Sequence, residues 1–144
     1  MTRGNALSTY LKEYIAYHRT TGNKVTHFVG IPMIVFSLLG LLDRVAIAPH
    51  FSLATLLWVA AGLFYCRLHL LLGIVMLVLT AGLWRLSMLA TPPILWGLFV
   101  VGWIVQFIGH YVYEGRSPAF FRNFTHLLIG PVFIVNSLFK FKRL

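Results

Sequence analysis

Five apolar runs divide this chain, and its polar residues collect at the joints between them. Ahead of the first run, Leu7, Leu11, Tyr14, Ile15 and His18 recur at helical spacing, with Lys12 and Glu13 off that face. Residues 5–18 therefore read as an amphipathic helix, of the kind that lies in a membrane interface. Thr20-Thr21-Gly22-Asn23 reads as a turn or helix stop, since Gly and Asn accept left-handed backbone. The apolar runs follow at roughly 28–42, 51–65, 68–86, 94–113 and 126–139. A ~30 Å hydrocarbon core needs about 20 helical residues. The first run is short by that measure unless it starts as early as Val25 or packs inside a bundle. The last is too short to cross comfortably and reads as a re-entrant or tilted helix. Ala48-Pro49-His50 forms a loop, Thr91-Pro92-Pro93 breaks the chain ahead of a helix start, and Glu114 to Pro118 forms a polar turn. Residues 119–124 are a short amphipathic piece.

Composition converts these runs into membrane helices. The 144 residues suit one domain, 1–144, of which 59% are hydrophobic and 10% charged, with a mean hydropathy of +0.84. Soluble domains carry about 25% charged residues. The fold expected is an all-α integral membrane bundle of four to five apolar helices with an N-terminal interfacial amphipathic helix. Twelve Lys and Arg stand against Glu13, Asp43 and Glu114, giving a net charge of +9. These cations sit between apolar runs and in the tail Lys140-Phe141-Lys142-Arg143, where anionic headgroups attract them. They form no stripe and no nucleic-acid motif, so the partner expected is the lipid bilayer and not nucleic acid. The lone Cys66 excludes an intrachain disulfide and reads as a small packed residue. Residues 1–27 contain no apolar core of a cleavable signal, so the first span is expected to act as the targeting signal.

Counting one crossing per span places Arg3, Lys12, Arg19, Lys24, Arg67, Arg116 and Arg122 on one face, against Arg44 and Arg85 on the other. The positive-inside rule makes the richer face cytoplasmic. That face also receives His18, His27, His69, His110 and His126, leaving His50 opposite. Five histidines at one membrane depth are what a metal or proton-handling site requires. Gln106, His110 and Glu114 recur at four-residue intervals on one helix face, so Glu114 can orient the His110 ring or bind metal itself. Imidazoles without a thiolate suit iron, zinc, copper or nickel. The spacings match no soluble metal motif and no clustered histidine box. The bland reading stands beside this one: interfacial histidines with wet tips, Glu114 paired with Arg116 or Arg122, and Tyr10, Tyr14, Tyr17, Tyr111 and Tyr113 forming an aromatic belt.

Three stretches carry a family resemblance: YHRTTGNKVTHFVGIP at 17–32, QFIGHYVYEGRSPAF at 106–120 and HLLIGPVF at 126–133. With the order of apolar runs between them, the chain resembles the small membrane family of iron(II)-dependent 2-hydroxy fatty acid dioxygenases. The resemblance implies removal of C1 from a long-chain 2-hydroxy fatty acid, with Fe2+ and O2, to leave an acid one carbon shorter. It implies metal ligation by His18, His27, His110 and His126, and functional positions at Asn23 and Glu114. Where an acidic residue is expected in the last segment, this chain has Asn136. Arg19, Lys24, Arg116 and Arg122, on the histidine face, are candidates to attract the substrate carboxylate. The compartment implied is the bacterial inner membrane or the endoplasmic reticulum. A non-enzymatic metal- or haem-binding protein, or a lipid-binding one, remains the alternative reading of the same histidines.

Overall fold

The computed structural model describes residues 3–141, with side chains from residue 6 onward. Lys142 and Arg143 of the basic tail, and the Arg3 side chain, lie outside the described residues. Among the described residues there are six α-helices: α1 (Arg3–Ala16), α2 (Thr21–Asp43), α3 (Leu53–Leu68), α4 (Leu70–Ser87), α5 (Pro92–Ile108) and α6 (Thr125–Phe139). A π-helical turn, Gly109–Glu114, continues α5. A two-strand antiparallel hairpin, β1 (Ala46–Ala48) and β2 (Phe51–Ser52), joins α2 to α3 in place of the plain loop expected there. The fold is the expected all-α, membrane-type bundle, with α2 to α6 as its five apolar helices. Among the described residues, three helical stretches, Thr21–Asp43, Leu70–Ser87 and Pro92–Glu114, are long and apolar enough to cross a bilayer. Their outward residues are apolar, as lipid requires: Val78 is 66% exposed, Trp96 57% and Val100 52%.

The first span is 23 residues long because residues 21–23 belong to it. Thr20 is the N-cap, its side chain accepting from the Asn23 backbone N–H. The expected stop at TTGN is instead a helix start: Thr favours the cap, and Asn23 sits fully buried in the first turn. Ser52 caps α3 in a reciprocal box with Thr55 and donates to Asp43 at 2.8 Å. His69 closes α3 and opens α4, its Nδ1 accepting from the Leu72 N–H at 3.2 Å.

The main seam is α2 against α5. A Cβ on Gly30 would stand 2.9 Å from the Gly102 carbonyl oxygen, so glycine lets the two backbones cross closely. The α3–α4 pair packs similarly, with Cys66 against Gly73. Antiparallel succession puts the α2 start, the α3–α4 turn and the α5 end at one end of the bundle. Both ends of α6 lie there too: His126 is beside Tyr17, and Phe141, just past the helix, is beside His69. The last apolar segment therefore lies across that end instead of crossing. Helix α1 packs on α6 and α3, burying Leu7, Leu11 and Tyr14 with Leu72, Met76, Ile129 and Val132. Its apolar face is taken up by protein, and Tyr14, 3% exposed, is a core residue and not part of an aromatic belt.

Candidate metal centre

Two histidines are held in one tautomer by the chain itself. His18 lies in the linker between α1 and α2, four residues past Tyr14, and its Nδ1 donates to the Tyr14 carbonyl at 2.6 Å. His27, on the second turn of α2, donates from Nδ1 to the Asn23 carbonyl at 2.7 Å. A carbonyl only accepts, so the proton of each neutral ring sits on Nδ1 and each Nε2 carries a lone pair. The two Nε2 atoms face each other at 3.0 Å. Two lone pairs that close repel, and a cation beside both turns the repulsion into ligation. His110, from the π turn, brings a third nitrogen, and the three ligand atoms lie within 4.8 Å of one another. All three side chains are buried. Rings oriented by carbonyls behind them are the usual support of metal-binding imidazoles. Burial also pushes the His18 pKa down to about 4, with the Tyr14 carbonyl acting against it, so that ring is neutral at pH 7. The residues fit a metal ion.

Glu114 has a different task from the one its spacing suggested. Its carboxylate accepts from the Arg19 N–H at 3.0 and 3.1 Å, the Thr20 N–H at 3.1 Å, the Thr20 hydroxyl at 2.9 Å and Asn23 Nδ2 at 3.2 Å. It neither bonds the His110 ring nor pairs with Arg116 or Arg122 among the described contacts. An anion over the α2 N-terminus is favourable by helix polarity. The bonds tie the His18 linker and the α2 start to the π turn that carries His110. Gly115 follows in left-handed backbone, φ 65°, and ends that turn. Asn23 serves the same assembly: its carbonyl orients His27, and its Nδ2 also donates to the Tyr17 carbonyl at 3.3 Å.

His126 is not part of the three-nitrogen cluster. Its ring centroid lies 6.1 Å from that of Tyr14, which stacks on His18 at 3.9 Å, and its Nδ1 is buried without a partner among the described residues. His69 is a helix cap, and His50 sits exposed in the β hairpin at φ 61°. Asn136 is buried in α6.

His18, His27, His110 and His126 all line one cavity of about 550 Å³. It runs along α2 past Ile31, Val35 and Leu38 to Leu42, which is about 22 Å from His27 at 1.5 Å per residue. The far walls are apolar, with Leu57, Trp58, Leu77, Phe99 and Trp103. Arg19, Lys24, Arg116 and Arg122 do not line it; Arg19, Arg116 and Arg122 are exposed at the bundle end. One polar contributor escapes the pattern reading: Tyr14, whose carbonyl and ring hold His18. Gln106, which its four-residue interval places on the His110 face, is buried in the cavity wall.

Fold and site together define a helical membrane protein in which buried histidines able to hold a metal ion open onto a long apolar cavity. The family described as 2-hydroxy-palmitic acid dioxygenase Mpo1-like matches residues 5–141, and the chain belongs to it. It is 38% identical over 140 residues to 2-hydroxy-palmitic acid dioxygenase MPO1 of Saccharomyces cerevisiae, a match covering 93% of this chain and 80% of the yeast protein. No solved structure matches the chain.

Proposed function

We propose that this protein is an iron(II)-dependent dioxygenase that shortens long-chain 2-hydroxy fatty acids by one carbon. The observation that carries the reading is the pair of facing Nε2 lone pairs on His18 and His27, completed by His110, at the head of an acyl-sized cavity. His18, His27 and His110 would hold the ion, and His126, which lines the same cavity, would offer the fourth imidazole. Iron(II), when bound, would supply O2 activation beside the 2-hydroxy acid. The atoms balance with C1 leaving as CO2 and one water formed.

The chain's own residues supply the rest. The Tyr14 and Asn23 carbonyls keep both Nδ1 protons in place, so the Nε2 atoms stay free for ligation. Glu114 fixes the spacing between the two histidine-bearing segments. The apolar walls take the tail, and each buried CH2 contributes about 0.8 kcal/mol. One leaflet of acyl chains spans about 15 Å, half the hydrocarbon core. A cavity of about 22 Å therefore holds a tail of membrane-lipid length. Arg19, Lys24, Arg116 and Arg122 act outside the cavity, drawing an anionic acid to that face. We place the face on the cytoplasmic side of a bacterial inner membrane or the endoplasmic reticulum. A haem carrier is disfavoured because nitrogens 3.0 Å apart cannot flank a macrocycle.

Elemental analysis of protein purified in mild detergent without chelator tests this reading. About one iron per chain is expected, with 2-hydroxypalmitic acid and O2 giving the acid one carbon shorter. His18→Ala and His110→Ala should each lose iron and turnover while staying inserted. Full turnover by both variants at wild-type iron content would overturn the assignment.

A further inference from the structure

Gln106 is 5% exposed, lines the cavity, and its buried Nε2 has no hydrogen-bond partner among the described residues. A buried amide without a partner is costly and so calls for an explanation. Its seat is built into the helix seam. A Cβ on Gly30 would stand 2.8 Å from Nε2, so the glycine leaves the slot in which the amide lies. Gln106 precedes His110 by one helical turn, and Gly30 follows His27 by about one turn. The amide thus lies about 5 Å along the cavity from the imidazoles. Beyond it, Ile34, Val35, Leu38 and Phe99 make the wall apolar. Gln106 marks the step from the polar head of the cavity to its tail region, in a cavity lined by no Lys or Arg.

Resting on the function proposed above, we propose that Gln106 is a substrate-binding residue whose amide N–H donates to an oxygen of the 2-hydroxy carboxylate. The acid is an anion, and no side-chain cation meets it inside. Beyond the metal, its oxygens need donors, and Nε2 has hydrogens to give. The donor is neutral, so it does not compete with the ion for charge. Its place one turn from the imidazoles brings it level with the first carbons of an acid whose head is at the metal.

The test is equilibrium dialysis of iron-loaded protein, without O2, against radiolabelled 2-hydroxypalmitic acid and against palmitic acid methyl ester. Gln106→Met keeps the volume and removes the donor. Its affinity for the acid should fall about tenfold or more, the loss of one hydrogen bond to a charged acceptor. Iron content and affinity for the ester should not change. Equal affinity of both proteins for the acid would overturn the role of Gln106 alone. Parallel loss of iron, ester and acid would also overturn it, by making the residue structural. Failure of the unaltered protein to bind the acid would bring down the underlying function as well. Gln106→Glu keeps the shape and substitutes an anion for the donor; it carries the same expectation and decides the matter where the Met variant misfolds.

Discussion

The proton positions on His18 and His27 decide what that pair can do. Each Nδ1 is committed to a carbonyl, so neither ring can donate to the other through Nε2 without becoming a cation. Burial opposes that cation. The folded pKa of His18, about 4, lies below the ordinary value near 6.5. Between those values the unfolded chain takes up a proton that the folded protein refuses. Metal-free protein should therefore lose stability as pH falls from 6.5 to 4, by about 3 kcal/mol from this residue, and level off below. Denaturation in detergent across that range, compared with His18→Gln, measures it; an unchanged slope in the variant would contradict the argument. Histidines outside the cluster should behave differently. His69→Ala removes a helix cap, which costs about 1 kcal/mol, and should keep its iron. His27→Ala should lose its iron. Metal content and melting temperature of the two variants separate the roles.

At the scale of elements, the site is a joint between the α2 start and the π turn after α5, closed by one carboxylate. Glu114 accepts from three residues of the opposing segment. Glu114→Ala leaves two N–H groups at the α2 start without an acceptor, a loss of about 2 kcal/mol. We expect weaker iron binding with a fold otherwise retained, read by metal titration alongside circular dichroism. Unchanged affinity would assign the carboxylate to stability alone. This joint also shows how far the sequence can be read. Apolar runs gave the five helices, because burial in lipid leaves a hydropathy signal along the chain. Counting crossings puts His18, His27 and His110 at one end together with His69 and His126, and the resemblance, not the count, narrows them toward a metal site. The partner of Glu114 follows from neither, since a contact across 91 to 95 residues leaves no local periodicity. The start at Thr20 is hidden for a related reason: TTGN has the residues of a stop, and the carboxylate that joins the Thr20 cap comes from 94 residues away. The inward turn of Tyr14 likewise depended on α6 lying across the bundle end, which its length suggested but its pattern could not place.

The whole molecule has two unlike ends, and a difference of this kind orients a helical bundle in a membrane. Lys12, Arg19, Lys24, Arg67, Arg116 and Arg122 gather at the end that holds the histidines, whereas Arg44 and Arg85 are at the hairpin end. There Arg44 is occupied locally, donating to the Ala90 carbonyl at 2.9 Å. Cations near span ends favour the cytoplasm, and the asymmetry of the short loops dominates the choice. The histidine end should therefore face the cytoplasm, where an acid reaches it from the inner leaflet. Single cysteines report this directly once Cys66 is replaced by Ala. Ser117→Cys stands in the exposed turn at the histidine end, and His50→Cys in the hairpin turn at the other. With a membrane-impermeant maleimide applied to intact bacterial cells whose outer membrane has been opened, His50→Cys should label at once. Ser117→Cys should label only after the inner membrane is breached. The opposite pattern would invert the molecule and put the metal centre outside. Labelling of both in sealed cells would mean mixed insertion, which a cation asymmetry of this size argues against.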